Sequence, residues 1–223
     1  TDSAETADEL VLTYRGLLQQ EPDVSGIALC STVPAVLHQM RLMVDRYFAD
    51  IPIVIVEPGI KTGVPILTDN PKEVGADRIV NTLAAHHLFG GPCIVVDFGT
   101  STNLDVVSDT GEFLGGALAP GIEISLEALA ERAAQLRKVE LVAPRSVIGK
   151  NTVEALQSGA IYGFAGQVDG LVERIIKETG PVTAVIATGG LSQIVVSESR
   201  TITHHEPDLT LLGLALLFEK NQI

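Results

Sequence analysis

Two short apolar runs, the second of them entirely β-branched, flank a segment of helical periodicity in the first part of the chain. Residues 26–30 and 53–56 form two such runs, and residues 35–48 between them carry Met40 and Met43 at helical spacing. A strand, a helix and a second strand in this order predict a parallel unit whose sheet is covered by helices. The pattern therefore predicts an α/β fold.

The pattern changes after residue 97, where two predicted strands follow each other without an intervening helix. Asp109, Thr110 and Gly111 join them, and such a sequence is typical of a hairpin. We therefore expect a second domain to begin near Pro92, which divides the chain into residues 1–91 and 92–223. The predicted helices are residues 6–19, 35–48, 72–89, 122–134, 151–178 and 209–220, and the predicted strands are residues 26–30, 53–56, 93–96, 104–108, 112–117 and 182–187.

Composition excludes several classes of function. The 223 residues carry a formal net charge of −13 and contain no stripe of Lys and Arg, so we expect no binding to nucleic acid or to an anionic membrane surface. No apolar stretch is long enough to span a bilayer. Cys30 and Cys93 each lie in an apolar run, which is typical of buried thiols in a reducing compartment. These features predict a cytoplasmic protein without a disulfide framework.

The most informative segment is an apolar strand that ends in a carboxylate. Residues 93–96 are followed by Asp97, by a turn containing Gly99 and Thr100, and then by a second strand. Gly99 allows the backbone to approach a phosphate, the hydroxyls and amides of the turn donate to it, and Asp97 can hold a cation. The alternative is an ordinary hairpin turn with an aspartate at its base.

A second segment, residues 69–78, enters the helix that precedes this strand. Gly75 within a predicted helix costs about 1 kcal/mol relative to Ala, which indicates that another group packs on the backbone there. Asp77 and Arg78 would then offer a base and a cation to a bound polar substrate. The alternative for one Asp–Arg pair is a solvated helix face.

Other candidate positions give weaker signals. Glycine turns at residues 115–116, 120–121, 149 and 189–190 allow close approach of a ligand, but glycine is common in turns. Thr152 lies where a helix begins, so it is either the N-cap or a ligand contact. His204 and His205 lack partners at metal-ligand spacing and are interpreted as an exposed loop pair.

Taken in order along the chain, these segments carry a resemblance to a known family. They are residues 69–71, 75–78, 96–100, 115–117, 121–122, 149–152 and 187–190. The set strongly resembles the type III pantothenate kinase family over essentially the whole chain, whereas the phosphate loop of the P-loop pantothenate kinases is absent. The resemblance implies the superfold of actin, Hsp70 and the acetate and sugar kinases, in which two similar ribonuclease H-like domains have a nucleotide cleft between them.

The resemblance also implies a reaction and an acceptor site. The reaction is ATP-dependent phosphorylation of pantothenate to 4'-phosphopantothenate, the first step of coenzyme A biosynthesis. Asp77 matches the proton acceptor of the family, and Gly75, Ala76 and Arg78 line the pantothenate site with it.

The same resemblance implies a nucleotide site and a dimer. Asp97 matches the ligand of a monovalent cation, potassium or ammonium, and Thr100, beside Gly99, matches an ATP contact. Thr152 matches a pantothenate contact that reaches the substrate from the other subunit of a homodimer. Glycines 159, 163 and 166 fall on one side of the helix predicted at residues 151–178, which allows another helix to approach, either from the same subunit or from a second one.

The chain departs from the family pattern at its N-terminus. The family opens with a β-hairpin whose Asp-x-Gly-Asn-Thr loop supplies the carboxylate for Mg²⁺, and this sequence begins after that hairpin, so we expect an incomplete N-terminus. Two other functions stay open: a non-catalytic family member with an accessory or regulatory role, and an actin-like ATPase or sugar kinase that shares only the fold.

Overall fold

A computed structural model of the protein describes residues 4–18, 24–133 and 139–222. Its α-helices are α1 (Ala7–Leu18), α2 (Pro34–Tyr47), α3 (Ala76–Phe89), α4 (Ile122–Arg132), α5 (Thr152–Thr179), α6 (Ser192–Val196) and α7 (Leu209–Asn221). Its β-strands are β1 (Ile27–Leu29), β2 (Ile53–Ile55), β3 (Cys93–Phe98), β4 (Ser101–Val107), β5 (Phe113–Pro120), β6 (Ala184–Thr188) and β7 (His204–His205). Helices and strands alternate as predicted, which confirms the α/β class.

The structure divides into two compact units that are not contiguous in sequence. The first comprises Thr1–Gly63, Asn70–Ala84 and Thr210–Ile223, and the second comprises Val64–Asp69 and Ala85–Leu209. Helices α3 and α7 therefore contribute residues to both units. The functional domain boundary expected near Pro92 stays a prediction.

The second unit is built on a five-stranded sheet with the order β5-β4-β3-β6-β7. Strands β3, β4 and β5 form an antiparallel meander, whereas β6 pairs parallel to β3 and β7 pairs parallel to β6. This order and these directions are those of a ribonuclease H-like sheet, the unit from which the actin-like superfold is built. In this register Asp97 lies opposite Asn103 of β4 and Thr188 of β6, so three polar residues share one face at the end of β3.

The other face of this sheet forms the main core of the second unit. Ile94, Val96 and Phe98 of β3 pack there with Val168 and Val172 of α5, and all five side chains are buried. The apolar run of β3 is thus explained by burial of a central strand between its neighbours, and it holds the turn that follows Asp97 on a rigid base.

The first unit contains the predicted strand, helix and strand. β1 and β2 pair in parallel, with Ile27 opposite Ile53, and the connection between them includes α2. Leu29, Met43 and Val44 pack in a shared core with residues of α1.

Several predicted boundaries differ from the structure. The helix predicted from residue 72 is interrupted: Pro71–Glu73 is a short 3-10 helix and α3 begins only at Ala76. Helix α6 and strand β7 were not predicted, because five and two residues are too short to give a periodic signal. The predicted helix ends at residues 19 and 134 lie outside the described residues. No helix among the described residues is both long and apolar enough to cross a membrane.

Candidate active site

Residues 75–78 lie at the start of α3, with Gly75 just before the helix and the other three in its first turn. The carbonyl of Gly75 accepts hydrogen bonds from the backbone N–H of Arg78, at 3.1 Å, and of Ile79, at 3.3 Å, so Gly75 precedes the first helical turn. The prediction of a glycine within a helix is therefore wrong. The carboxylate of Asp77 lies in the first turn of α3, where its Oδ1 accepts a hydrogen bond from the Arg78 N–H at 2.9 Å.

Gly75 nevertheless has a close neighbour. A Cβ atom at this position would lie 2.6 Å from Asp77 Oδ1 and 3.4 Å from the Thr32 methyl carbon. A separation of 2.6 Å is shorter than real Cβ contacts, so the missing side chain leaves room for the Asp77 carboxylate. The group that packs on this glycine is the candidate base itself.

A cavity of about 300 Å³ in the first unit reaches Asp77. Its lining includes the hydroxyl-bearing residues Ser31, Thr32 and Thr210 and the apolar residues Val36 and Met40. The cavity therefore offers both hydrogen-bonding groups and apolar surface beside a carboxylate.

Cys30 also lines this cavity, but its thiol is not a candidate nucleophile. Burial, with a smaller contribution from the negative charge of Asp77, raises the pKa of Cys30 to about 12. The thiol is therefore protonated at neutral pH, and thiolates rather than thiols are the reactive species.

The second group of predicted residues lies in the second unit, at the turn between β3 and β4. Gly99 and Thr100 are exposed there, and the turn is closed by a hydrogen bond from the Gly99 N–H to the Ser101 carbonyl at 3.0 Å. The Gly121 N–H, just before α4, donates to the Thr100 carbonyl at 3.1 Å. A cavity of about 350 Å³ lies at this turn, and its lining includes Gly99, Thr100, Glu123 and Leu191. The arrangement leaves a hydroxyl and a glycine backbone accessible to a ligand.

Asp97 is brought against a second glycine turn that follows β6. Gly189 has a φ of +90°, and a Cβ there would lie 2.5 Å from Asp97 Oδ1 and 2.7 Å from the Phe98 carbonyl oxygen. Only glycine allows the backbone to come this close to the carboxylate. A carboxylate oxygen at the end of a strand, with a glycine cradle beside it, fits a hard cation that prefers oxygen ligands. Within residues 4–18, 24–133 and 139–222, no group of three or more His, Cys, Asp and Glu side chains forms a metal cluster.

Thr152 is the first residue of α5 and is exposed. The N-cap is Asn151, whose Oδ1 accepts from the Glu154 N–H at 2.9 Å, so the interpretation of Thr152 as the cap is wrong. The Glu154 carboxylate accepts in turn from the Lys150 N–H, which together with the Arg145 guanidinium lowers the pKa of Glu154. The hydroxyl of Thr152 is thus not needed to cap α5.

His205 and Ser192 form a contact that sequence reasoning missed. His204 and His205 belong to β7 rather than to a loop, which corrects their interpretation as an exposed loop pair. His205 Nε2 lies 2.8 Å from Ser192 Oγ. No local sequence pattern indicates this contact, because it joins residues 13 positions apart and depends on the pairing of β7 with β6.

A family model for type III pantothenate kinase matches residues 1–174 of the chain. The chain belongs to the type III pantothenate kinase family. The type III pantothenate kinase of Frankia alni is 72% identical over 221 residues, which cover 99% of this chain and 88% of that protein. The type III pantothenate kinase of Saccharopolyspora erythraea is 66% identical over 226 residues, which cover 99% of this chain and 85% of that protein.

A solved structure shows the same fold at much lower sequence identity. A Baf family transcriptional activator from Campylobacter jejuni matches with a TM-score of 0.57 and 18% identity, over 92% of this chain and 87% of that one. Together with the ribonuclease H-like sheet of the second unit, this likeness confirms the predicted actin-like fold class for this member of the type III pantothenate kinase family.

Proposed function

We propose that the chain transfers the γ-phosphoryl group of ATP to pantothenate and so forms 4'-phosphopantothenate, the first step of coenzyme A biosynthesis. The observation that carries the proposal is the Asp77 carboxylate, which lies at the start of α3 and lines a cavity of about 300 Å³. The family to which the chain belongs indicates the two substrates, pantothenate and ATP. Relatives at 66–72% identity are named type III pantothenate kinase.

Asp77 acts as the proton acceptor. The terminal hydroxyl oxygen of pantothenate forms a bond to the γ-phosphorus while the bond from that phosphorus to the β,γ-bridging oxygen breaks, and ADP leaves. The hydroxyl proton passes to a carboxylate oxygen of Asp77. Because phosphoryl transfer needs little covalent help, positioning and neutralisation of charge supply most of the rate.

The cavity beside Asp77 suits the acceptor chemically. Pantothenate carries hydroxyl, amide and carboxylate groups and a dimethyl carbon. The hydroxyls of Ser31, Thr32 and Thr210 offer hydrogen bonds to its polar groups, and Val36 and Met40 offer apolar contact to the methyl groups. Gly75, Ala76 and Arg78 complete the acceptor site at the start of the helix.

The turn between β3 and β4 binds the ATP phosphates. The Thr100 hydroxyl and the backbone at Gly99 are exposed there beside a cavity of about 350 Å³. Asp97 is assigned to a monovalent cation, potassium or ammonium, because its carboxylate lies at the end of β3 beside the phosphate turn and offers oxygen ligands to a cation. Mg²⁺ would enter bound to ATP and neutralise charge on its phosphates. We do not assign Asp97 to this Mg²⁺ ion.

The active form is a homodimer in which Thr152 completes the pantothenate site of the other subunit. The exposure of Thr152 and its freedom from capping support this proposal. The glycine side of α5 supports it further: in the part of the chain that the structure describes, no atom approaches within 4 Å of a Cβ placed at Gly159, Gly163 or Gly166. The alternative in which these glycines pack against another helix of the same subunit therefore finds no support, and this side of α5 is open to a partner helix.

The Asp77→Asn variant tests the function, because an amide cannot accept the proton while its size is unchanged. In the full-length enzyme, phosphorylation of pantothenate should fall by about 10²-fold or more, the range typical of general acid–base catalysis. Binding of a non-hydrolysable ATP analogue should stay within about twofold of wild type. Asp45→Asn is the matched control, since Asp45 is an exposed residue of α2, and it should leave turnover unchanged.

Wild-type turnover in the Asp77→Asn variant would remove the proton-accepting role. A wild-type protein that binds the ATP analogue but phosphorylates no pantothenate would instead favour the accessory or regulatory alternative.

A further inference from the structure

Two residues of the second unit are joined across a loop although they are 13 positions apart. His205 Nε2 lies 2.8 Å from Ser192 Oγ, and Ser192 Oγ lies 2.6 Å from the Gly189 carbonyl oxygen. A carbonyl has no proton, so the Ser192 hydroxyl donates its only hydrogen to Gly189, and the second contact must be a donation from His205 Nε2–H to Ser192. With His205 in the tautomer protonated at Nε2, the hydrogen bonds run from His205 to Ser192 and from Ser192 to Gly189.

The carbonyl that receives this chain of hydrogen bonds belongs to the glycine that packs on Asp97. The space that a Cβ of Gly189 would fill is next to Asp97 Oδ1 and the Phe98 carbonyl, at 2.5 Å and 2.7 Å. The Leu191 N–H also donates to the Phe98 carbonyl, at 3.3 Å, and Leu191 lines the cavity at the phosphate turn. A shift of the Gly189 carbonyl would therefore move the groups around Asp97 and the wall of that cavity.

His205 is itself held in place by backbone and side-chain contacts. It pairs with Ala187 of β6, and the Glu206 N–H donates to the Ala187 carbonyl at 2.9 Å. The loop before β7 is fixed by Asp169, whose Oδ1 accepts from the Thr201 hydroxyl at 2.8 Å. Because strand pairing and the Asp169 contacts hold the backbone around His205, its imidazole can fix the position of the neighbouring Gly189 turn.

We propose that His205 and Ser192 are positioning residues for the nucleotide side of the active site: they hold the Gly189–Leu191 turn against Asp97, so that the phosphates of ATP and the cation meet a preformed site. The proposal rests on the proposed function, in which that turn borders the nucleotide. A merely structural role for the pair would lower stability without a selective effect on ATP.

The experiment compares nucleotide and pantothenate dependence in variants of the full-length enzyme. His205→Ala and Ser192→Ala should each weaken binding of a non-hydrolysable ATP analogue, measured by calorimetry, by about tenfold, the size expected for one net hydrogen bond of about 1.4 kcal/mol. The KM for ATP should rise by a similar factor, while the KM for pantothenate stays within about twofold of wild type. His205→Gln should restore both values, because a glutamine amide can donate from nearly the position of Nε2.

His204→Ala is the matched control. The His204 side chain contacts Thr203 Oγ1 and the Phe89 ring, and neither residue belongs to the Gly189 turn, so its loss should leave nucleotide affinity unchanged. Thermal melting checks that each variant is folded, and Ser192→Ala serves if His205→Ala does not fold.

Unchanged affinity for the ATP analogue in both alanine variants would overturn the proposal, as would an equal rise in both KM values or a failure of His205→Gln to restore binding. If the wild-type protein does not phosphorylate pantothenate, the proposed function is refuted but the positioning role is not. That role is tested separately, by the affinity of the variants for the ATP analogue. A wild-type protein that binds no nucleotide refutes both.

Discussion

Replacing Gly75 by Ala perturbs the candidate base without changing any functional group. The added Cβ would lie 2.6 Å from Asp77 Oδ1, whereas ordinary contacts begin at 3.4 Å, so the carboxylate must retreat by about 0.8 Å. The same oxygen accepts from the Arg78 N–H at 2.9 Å, so this movement strains or breaks that hydrogen bond. The substitution therefore displaces Asp77 while leaving it present and charged.

A displacement of about 1 Å at a catalytic group can cost about 10²-fold in rate. We expect the kcat of Gly75→Ala to fall by about 10- to 100-fold, which corresponds to about 1.4–2.7 kcal/mol of activation free energy. The free energy of unfolding should change by less than about 1 kcal/mol, because the smaller entropy of the unfolded alanine chain offsets the tight contact.

Steady-state phosphorylation of pantothenate at saturating ATP, together with chemical denaturation, measures both quantities. Gly16→Ala is the matched control: Gly16 is exposed in α1, and nothing lies within 4 Å of its Cβ position among the described residues. This control should gain up to about 1 kcal/mol of stability and keep the wild-type kcat. A kcat within twofold of wild type for Gly75→Ala would refute the placement of Asp77 as a position-sensitive base.

Three further predictions concern the cation, the pH dependence of stability and the dimer. Turnover should be faster in potassium or ammonium than in sodium at equal ionic strength, and Asp97→Asn should abolish the difference; equal wild-type rates in sodium and potassium would remove Asp97 from this role. Burial raises the pKa of Asp169, but hydrogen bonds from Ser199, Arg200 and Thr201 outweigh it and hold the pKa at about 2. The folded-state pKa lies below the unfolded value, so the carboxylate contributes about 2 kcal/mol above pH 4 that is lost as the pH falls towards 2, and this loss should be absent from denaturation curves of Asp169→Asn. Mixing inactive Thr152→Arg and Asp77→Asn variants should regenerate one working site per heterodimer, and verified heterodimers without activity would contradict the shared site.

The phosphate turn shows which features of the site could be predicted from the sequence. The run of residues 93–96 predicts a buried strand because every side chain in it is apolar, and the structure buries all four. Asp97 at the end of this run, followed by glycine and hydroxyl residues, is a local pattern, so its place at the end of a strand follows without knowledge of the rest of the fold. The same holds for the parallel strands and the helices, whose periodicity reflects the side that each residue buries.

The helix before this strand shows where local patterns were not sufficient. Residues 72–89 look like one helix because their composition suits a helix throughout, yet Gly75 lies before α3. Gly75 supplies the carbonyl that accepts the first hydrogen bonds of α3, and the Asp77 carboxylate two positions along fills the space of its missing side chain. Hydrophobic periodicity carries no information about a hydrogen-bonded helix start of this kind. For Thr152, the choice between cap and exposed residue was made by the hydrogen bond between Asn151 and Glu154, whose spacing is visible in the sequence.

By itself the sequence determined the α/β class, the position of Asp97 at the end of a strand and, through its ordered motifs, the family. Only the tertiary structure decided that Gly189 packs on Asp97 and that His205 meets Ser192. The first contact needs β6 beside β3, and the second needs β7 beside β6 in a particular register. Pairing between strands far apart in the chain depends on the packing of the whole unit. A change of one residue in the pairing register would turn these side chains to the opposite face of the sheet.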